Sequence, residues 1–286
     1  MRSFDVPIDR ARIRCAEFGE GEHACLLLHG LGDGLFVWRE FAEYLGRQLR
    51  VIAPDLRGHG DSDWLRHGEY GFDSYVIDVM ALCEHLRLDH PIVIGHSMGG
   101  GVALRLARCM QHAVRGLVLV DYGPTIDRPT QRLVDVVTGF FAASQRTYAS
   151  LEDYVGTLKW EERPLVRESV LRRIASESLR RRTDGSGFEL KRDPALLSFF
   201  QTQRAAPDAP TLLERLKQTP CPTLVVRGEL SGLLSPAATL EMTRALPRGC
   251  HAQVPAAAHG VVLDNPQGFI DAVMPFLAST VAALQV

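Results

Sequence analysis

Short apolar runs alternate with amphipathic stretches along most of this chain, and that alternation limits the fold more than any single motif. CLLLHG (25–30), VIAPDL (51–56), IVIGHS (92–97), LVLVDYG (117–123) and TLVVRGE (223–229) are nearly continuous hydrophobic segments, each halted by Gly, Asp or Pro. Such runs suit strands buried on both faces, the situation of a parallel sheet. Between them, WREFAEYLGRQL (38–49), SYVIDVMALCEHL (74–86), GGGVALRLARCM (99–110) and AATLEMTRAL (237–246) are long enough for crossover helices. The order predicts an α/β protein with a mostly parallel, doubly wound sheet. FDVPI (4–8) and RIRCAEFG (12–19) predict an antiparallel hairpin ahead of it.

The rhythm breaks between about Tyr122 and Lys217, where several helical stretches, VRESVLRRIASESLRRR (166–182) among them, occur without a recognisable strand. That is too long for a simple connection. The expected organisation is therefore a core of residues 1–121 and 218–286 with a helical lid inserted at 122–217. Because the insertion follows a strand end, where open α/β sheets bind ligands, it would cover the site. Within it TDGSGFELKRDP (183–194) reads as a polar, mobile loop and RAAPDAP (204–210) as a connector. Phe140, Phe141, Trp160 and Phe199 either line an acyl pocket or glue lid helices together. The arginines from Arg163 to Arg182 read as a solvated helix face, or as a docking patch for an acidic partner or anionic carrier. Carrier or homo-oligomer contacts through the lid are compatible with either.

Bulk composition narrows the class. The 286 residues are 46% hydrophobic and 23% charged, enough to bury a large core, and the net charge of −2 argues against a nucleic-acid binder. No window approaches 18 uninterrupted apolar residues, so no membrane span is expected. The start, MRSFDVPIDRARIR, carries charges where a signal peptide needs an apolar stretch. The six cysteines show no paired spacing and are read as reduced packing residues of a cytoplasmic protein. No His, Asp and Glu set has metal-ligand spacing, so neither metal nor cofactor is expected.

Gly95-His96-Ser97-Met98-Gly99 is G-x-S-x-G, directly after a strand and directly before a helix. A nucleophile elbow requires this context, because flanking side chains would clash in so tight a turn. The serine is thrust out, and the next backbone N–H faces a developing oxyanion. A second donor is expected after CLLLHG, where the His29-Gly30 step would aim the Leu31 N–H into the pocket. With the Met98 N–H it would form an oxyanion hole. Gly30, Gly32 and Gly34, with Asp55 beyond them as the acid, also resemble a dinucleotide fingerprint, but Leu35 holds the third glycine's place in G-x-G-x-x-G.

HGLGDG (29–34), DLRGHGDS (55–62), GHSMGG (95–100) and AAAHGVVLDNP (256–266) together resemble the α/β-hydrolase fold family, especially small bacterial esterases and lactonases with a helical cap. The resemblance spans about residues 4–121 and 218–282 and is weak in the lid. It implies Ser97 as nucleophile and His259 as general base. His29, His59 and His96 would then brace loops, while His85, His90 and His112 are surface or packing residues. A serine at the elbow suits attack on an acyl carbon, giving an acyl-enzyme, where dehalogenases and epoxide hydrolases of this fold carry aspartate. The implied function is hydrolysis of a small-molecule carboxylic ester, lactone or thioester. Amide hydrolysis, carbon–carbon cleavage, acyl transfer or cyclisation, and a non-catalytic ligand-binding role remain open.

The acid departs from the family pattern. Relatives commonly place an aspartate in the turn after the TLVVRGE strand, but here the turn reads Arg227-Gly228-Glu229-Leu230-Ser231-Gly232, with Ser231 and Gly232 where the carboxylate belongs. Three readings compete. Asp121, at the end of LVLVD, takes the role. Glu229 reaches across. Or there is no acid and the site is a slow dyad or a binding pocket.

Overall fold

A computed structural model describes residues 1–9, 11–65, 70–110, 113–123, 146–158, 166–196 and 209–282, with residues 209–211 as backbone only. The strands are β1 Arg2–Ile8, β2 Ala11–Phe18, β3 Ala24–Leu28, β4 Arg50–Pro54, β5 Ile92–His96, β6 Gly116–Val120, β7 Leu179–Arg181, β8 Phe188–Leu190, β9 Thr223–Gly228 and β10 Gly249–Val254. The helices are α1 Arg39–Leu45, α2 Phe72–His85, α3 Met98–Cys109, α4 Leu151–Leu158, α5 Glu168–Ser178, α6 Ala209–Lys217, α7 Pro236–Ala245, α8 Val261–Asp264 and α9 Pro266–Ala282.

The main sheet runs β1-β2-β4-β3-β5-β6-β9-β10. The β1/β2 hairpin is antiparallel and joins β4 antiparallel; every later pairing is parallel. Because side chains alternate across a strand, the central strands feed two cores. Cys25, Leu27, Ile92, Ile94, Val118 and Val226 meet Trp38, Phe41 and Phe269 on one face. Leu26, Leu28, Val93, Leu117, Leu119 and Val225 meet α2 and α3 on the other. The buried Phe41 and Phe269 rings pack edge-on, centroids 4.8 Å apart, fastening α1 to α9. Ser235 caps α7 by accepting from the Ala238 amide at 3.1 Å, ahead of a proline in its first turn.

Two expectations for the segment between β6 and β9 are corrected. It contains strands: β7 and β8 form an antiparallel hairpin, pairing Leu179 with Leu190 and Arg181 with Phe188. The helical reading of 166–182 therefore runs too far, since α5 stops at Ser178. The polar TDGSG tract is the hairpin turn. Arg182 and Ser186 converge on Asp184, whose carboxylate accepts from the Ser186 amide at 2.9 Å and from Arg182 at 3.0 Å. Those donors hold Asp184 well below the usual carboxylate range. Gly185 and Gly187 supply φ values of +76° and +124°. What conceals the strands is their brevity and the arginines of β7.

This segment docks on the first turn of α1, after β3, and on the loop after β4. Arg39 pairs with Glu177 at 2.7 Å and Arg173 with Glu40 at 2.9 Å. Lys191 pairs with Asp61 at 2.9 Å, the Tyr70 hydroxyl donates to Asp193 at 2.7 Å, and the Asp193 amide donates to the Gly58 carbonyl at 2.8 Å. Of the arginine run, Arg167, Arg172, Arg173, Arg180 and Arg182 are all ion-paired within the chain. The face is largely exposed; Arg181 lies over the Phe188 ring, and Arg163 lies outside the described residues. Phe140, Phe141, Trp160, Phe199 and His112 lie outside the described residues. No described helix is long and apolar enough to cross a membrane. All six cysteines are free thiols; Cys109 and Cys250 are exposed rather than packed.

Buried histidines brace the loops at the carboxyl edge of the sheet. His29 donates from Nδ1 to the Gly30 carbonyl at 2.7 Å and accepts the Leu56 amide on Nε2 at 2.9 Å, which fixes its tautomer. Its ring meets His59 edge-on at 4.9 Å, and His59 Nδ1 donates to the Arg57 carbonyl at 3.1 Å. His96 Nε2 donates to the carbonyl of His259 at 2.8 Å, joining the elbow to the loop after β10. Each is most readily accommodated neutral, because burial penalises imidazolium.

For His96 burial, assisted by the nearby His259, lowers the pKa to about 4, whereas an unfolded histidine titrates near ~6.5. Between those values the unfolded chain binds a proton that the native chain refuses. Stability therefore falls as pH drops through that window, and the contribution is complete above it. A difference of about 2.5 in pKa corresponds to about 3 kcal/mol. His96→Gln keeps a donor for the His259 carbonyl but takes up no proton. It should flatten the stability profile between about pH 4 and 6.5 by about 1.4 kcal/mol per pH unit. Urea midpoints measured across that range test this, and an unchanged slope would locate the acid sensitivity elsewhere.

Candidate active site

The site starts from a backbone constraint. Ser97 bridges the last residue of β5 and the first of α3 with φ 51° and ψ −118°, a conformation costing a non-glycine residue about 1–3 kcal/mol. The surroundings enforce it: the Ser97 amide donates to the Val120 carbonyl at 2.9 Å, and the Gly100 amide returns to the Ser97 carbonyl at 2.9 Å. Glycines make the approach possible. A Cβ on Gly95 would lie 2.2 Å from the Gly99 carbonyl oxygen, and one on Gly99 would lie 2.3 Å from that of Leu28. The helix start thus sits directly against β3 and β5, leaving the serine projecting from the edge.

His259 follows β10, and its Nε2 lies 3.0 Å from Ser97 Oγ. Its Nδ1 lies 2.7 Å from Asp121 Oδ2. An ionised carboxylate only accepts, so Nδ1 carries the proton and Nε2 is free to accept from the serine hydroxyl. The imidazole is about one-third exposed, while the Asp121 side chain is fully buried. Asp121, at the C-terminal end of β6, also adopts a left-handed conformation (φ 45°), with its amide donating to the Val226 carbonyl at 2.7 Å. The structure therefore brings Ser97, His259 and Asp121 into one chain of hydrogen bonds.

The other candidates for the acid stand elsewhere. Glu229 Oε2 accepts the Ala256 amide at 2.8 Å, bracing the loop before His259. Gly232 faces open space, with no atom within 4 Å of a notional Cβ. Ser231 is the residue the sequence reading treated only as a vacancy. Its hydroxyl donates to Asp121 Oδ2 at 2.6 Å, and the Gly228 amide donates to Oδ1 at 3.3 Å. Nothing local in RGELSG signals this; the partner is a carboxylate more than a hundred positions away.

The oxyanion donors expected from the sequence are the Leu31 and Met98 amides. The Met98 amide lies in the first turn of α3, where no intrahelical acceptor exists. Among the described residues, no hydrogen bond engages it or the Leu31 amide. The Leu31 loop is held from behind. Asp55 accepts the Leu35 amide at 2.7 Å and the Asp61 amide at 2.9 Å, and the Asp33 amide turns back to the Gly30 carbonyl at 3.2 Å. Burial pushes the Asp55 carboxyl up to about 6 despite those donors. Sequence reading offers Asp55 only as the acid of the dinucleotide fingerprint; the structure uses it as a loop brace. Among the described residues no cluster of His, Cys, Asp and Glu could hold a metal ion.

Comparison with known proteins agrees with this architecture. The profile of the alpha/beta hydrolase fold matches residues 24–266. The chain is 28% identical to the 2-(acetamidomethylene)succinate hydrolase of Mesorhizobium japonicum over 272 residues, 95% of this chain and 94% of that protein. A solved structure of E-2-(acetamidomethylene)succinate hydrolase superposes with a TM-score of 0.85 at 28% identity, covering 97% and 99% of the two chains. An sn-1-specific diacylglycerol lipase of Mus musculus is 28% identical over 262 residues, covering 89% of this chain and 81% of the lipase. Uncharacterized proteins of Mycobacterium tuberculosis are 39% identical over 100 residues, but that is 35% of this chain and only 29% of theirs. With the profile spanning most of its length, this chain belongs to the α/β-hydrolase fold family.

Proposed function

We propose that this protein is a serine hydrolase that cleaves a small carboxylic acyl compound through an acyl-enzyme on Ser97. The observation that carries the proposal is the unbroken chain from Ser97 Oγ to His259 Nε2 at 3.0 Å and from His259 Nδ1 to Asp121 Oδ2 at 2.7 Å. As Ser97 Oγ attacks the carbonyl carbon, its proton passes to His259 Nε2, and the imidazolium is stabilised by the buried Asp121 carboxylate. The carbonyl oxygen gains the charge, which the Leu31 and Met98 amides receive. Collapse expels the leaving group with the proton from His259. Water, deprotonated by the same imidazole, then attacks the acyl carbon, releasing the acid and returning the proton to Ser97.

Esters, lactones and thioesters are the substrate class argued from the elbow. The substrate named for the Mesorhizobium hydrolase contains an acetamido group, so an acetamide belongs in the first substrate panel beside p-nitrophenyl acetate. Residues 122–217 are proposed as the lid. Supporting this, the described part of the segment docks on the start of α1 and on the loop after β4.

A fluorophosphonate should label the peptide containing Gly95 to Gly99, and Ser97→Ala should abolish both labelling and hydrolysis. His259→Ala should depress turnover about as far as Ser97→Ala, because the residues act as a unit. Asp121→Asn should leave the fold intact while lowering kcat on the order of 10⁴-fold, by disfavouring the required tautomer and the imidazolium. Gly232→Asp has room for its side chain and should give no gain in the wild-type background. A large gain from Gly232→Asp together with a harmless Asp121→Asn would remove Asp121 from the mechanism. For the lid, Phe140→Ala or Trp160→Ala should shift the preferred acyl chain length in a p-nitrophenyl ester series; lower thermal stability with unchanged selectivity would make those rings lid packing only.

A further inference from the structure

Ser231 stands where other members of the fold commonly keep the acid, yet it touches the carboxylate used instead. We propose that Ser231 is a positioning residue for the Asp121–His259 pair, its hydroxyl fixing the orientation of the carboxylate on which the imidazole aligns. This rests on the Ser97 mechanism proposed above.

A serine hydroxyl has one proton and two lone pairs. Ser231 Oγ accepts the Leu233 amide at 3.1 Å and the Leu234 amide at 3.2 Å. With both lone pairs engaged, the remaining proton is directed at Asp121 Oδ2, 2.6 Å away. The same oxygen receives the His259 Nδ1 proton at 2.7 Å, while Oδ1 has only the longer contact from Gly228 at 3.3 Å. A half-turn of the carboxylate only exchanges two equivalent oxygens, but a partial rotation away from this orientation would forfeit the hydroxyl bond. The side chain of Asp121 is fully buried, so water is poorly placed to replace a lost donor.

The same turn is registered against the loop that bears His259. The Glu229 amide donates to the Val254 carbonyl at 2.9 Å and the Leu230 amide to the Ala257 carbonyl at 2.8 Å. Acid, base and hydroxyl are therefore set relative to each other by one short turn. No proton leaves Ser231 in the cycle; its hydroxyl acts through Asp121 and touches no substrate.

The test compares Ser231→Ala with Ser231→Thr, which keeps the hydroxyl, using kcat/KM against pH for p-nitrophenyl acetate and fluorophosphonate labelling of Ser97. Ser231→Ala should lose about 10- to 100-fold in kcat with KM little changed. The acidic limb of its kcat/KM profile should move to higher pH, because the carboxylate, short of one donor, attracts the imidazolium more strongly. Ser231→Thr should recover most of the rate and the original limb. In the phosphonylated protein, the proton resonance of His259 Nδ1 should move in Ser231→Ala and not in Ser231→Thr. Should Ser231→Ala fail to fold, Ser231→Cys, a weaker donor of similar size, carries the same comparison. Wild-type rate and profile in the donor-deficient variant overturn the proposal, as does a rate loss uniform across pH that Ser231→Thr shares. Both presuppose a labelled Ser97 in the wild type; an inert Ser97 there overturns the nucleophile assignment and this proposal with it.

Discussion

The carboxylate of Asp121 is fully withdrawn from solvent at the end of a central strand, and the arrangement of the neighbouring loops follows from having to compensate it. A buried charge is tolerated only when its desolvation is offset by hydrogen bonds and an opposing charge or dipole. Here the donors come from separate parts of the chain: the Gly228 amide at the end of β9, the Ser231 hydroxyl in the turn beyond, and the His259 imidazole after β10. Parallel neighbours β6, β9 and β10 end side by side, which is why those groups can converge. The left-handed backbone at Asp121 turns the carboxylate toward them.

Near this charge the buried histidines are best accommodated neutral. His29, His59 and His96 are buried donors and acceptors whose protonation is opposed by desolvation, and each ties a loop to a backbone group. Asp55 is the counterpart on the other side of Ser97. Its carboxyl is pushed toward neutrality by burial, yet it holds the Leu31–Leu35 loop by accepting backbone amides. Of the described histidines at this sheet edge, His29, His59 and His96 are buried, and His259 is about one-third exposed.

The elbow adds a second constraint independent of charge. Gly95 and Gly99 allow α3 to begin within van der Waals range of β3 and β5, and the strain at Ser97 is maintained because both flanks are pinned by backbone hydrogen bonds. The segment between β6 and β9 contributes differently. Its ion pairs to Glu40, Arg39 and Asp61 join it to the first turn of α1 and to the loop after β4, where half-exposed charges add modestly to stability but fix orientation.

Much of this was legible in the chain before folding was considered. Buried strands announce themselves as unbroken apolar runs, and glycines around a serine after such a run mark a turn that tolerates no other residue. Those are local signals, because strand burial and elbow sterics depend on neighbours a few residues apart. The β7/β8 hairpin escaped, since its strands are three residues long and β7 ends in two arginines. The acid could not be decided from sequence. Asp121, Glu229 and Ser231 each stand just past a strand, and their chemistry alone leaves several partners for His259 open. Only the tertiary structure puts Asp121 2.7 Å from the imidazole, sends Glu229 to the Ala256 amide and turns Ser231 into a donor. The sequence by itself determined the strand–helix order and the place of the serine, whose causes are short-range. Which carboxylate faces the histidine was decided by how three strand ends and their loops meet in space, a relation among residues more than a hundred positions apart.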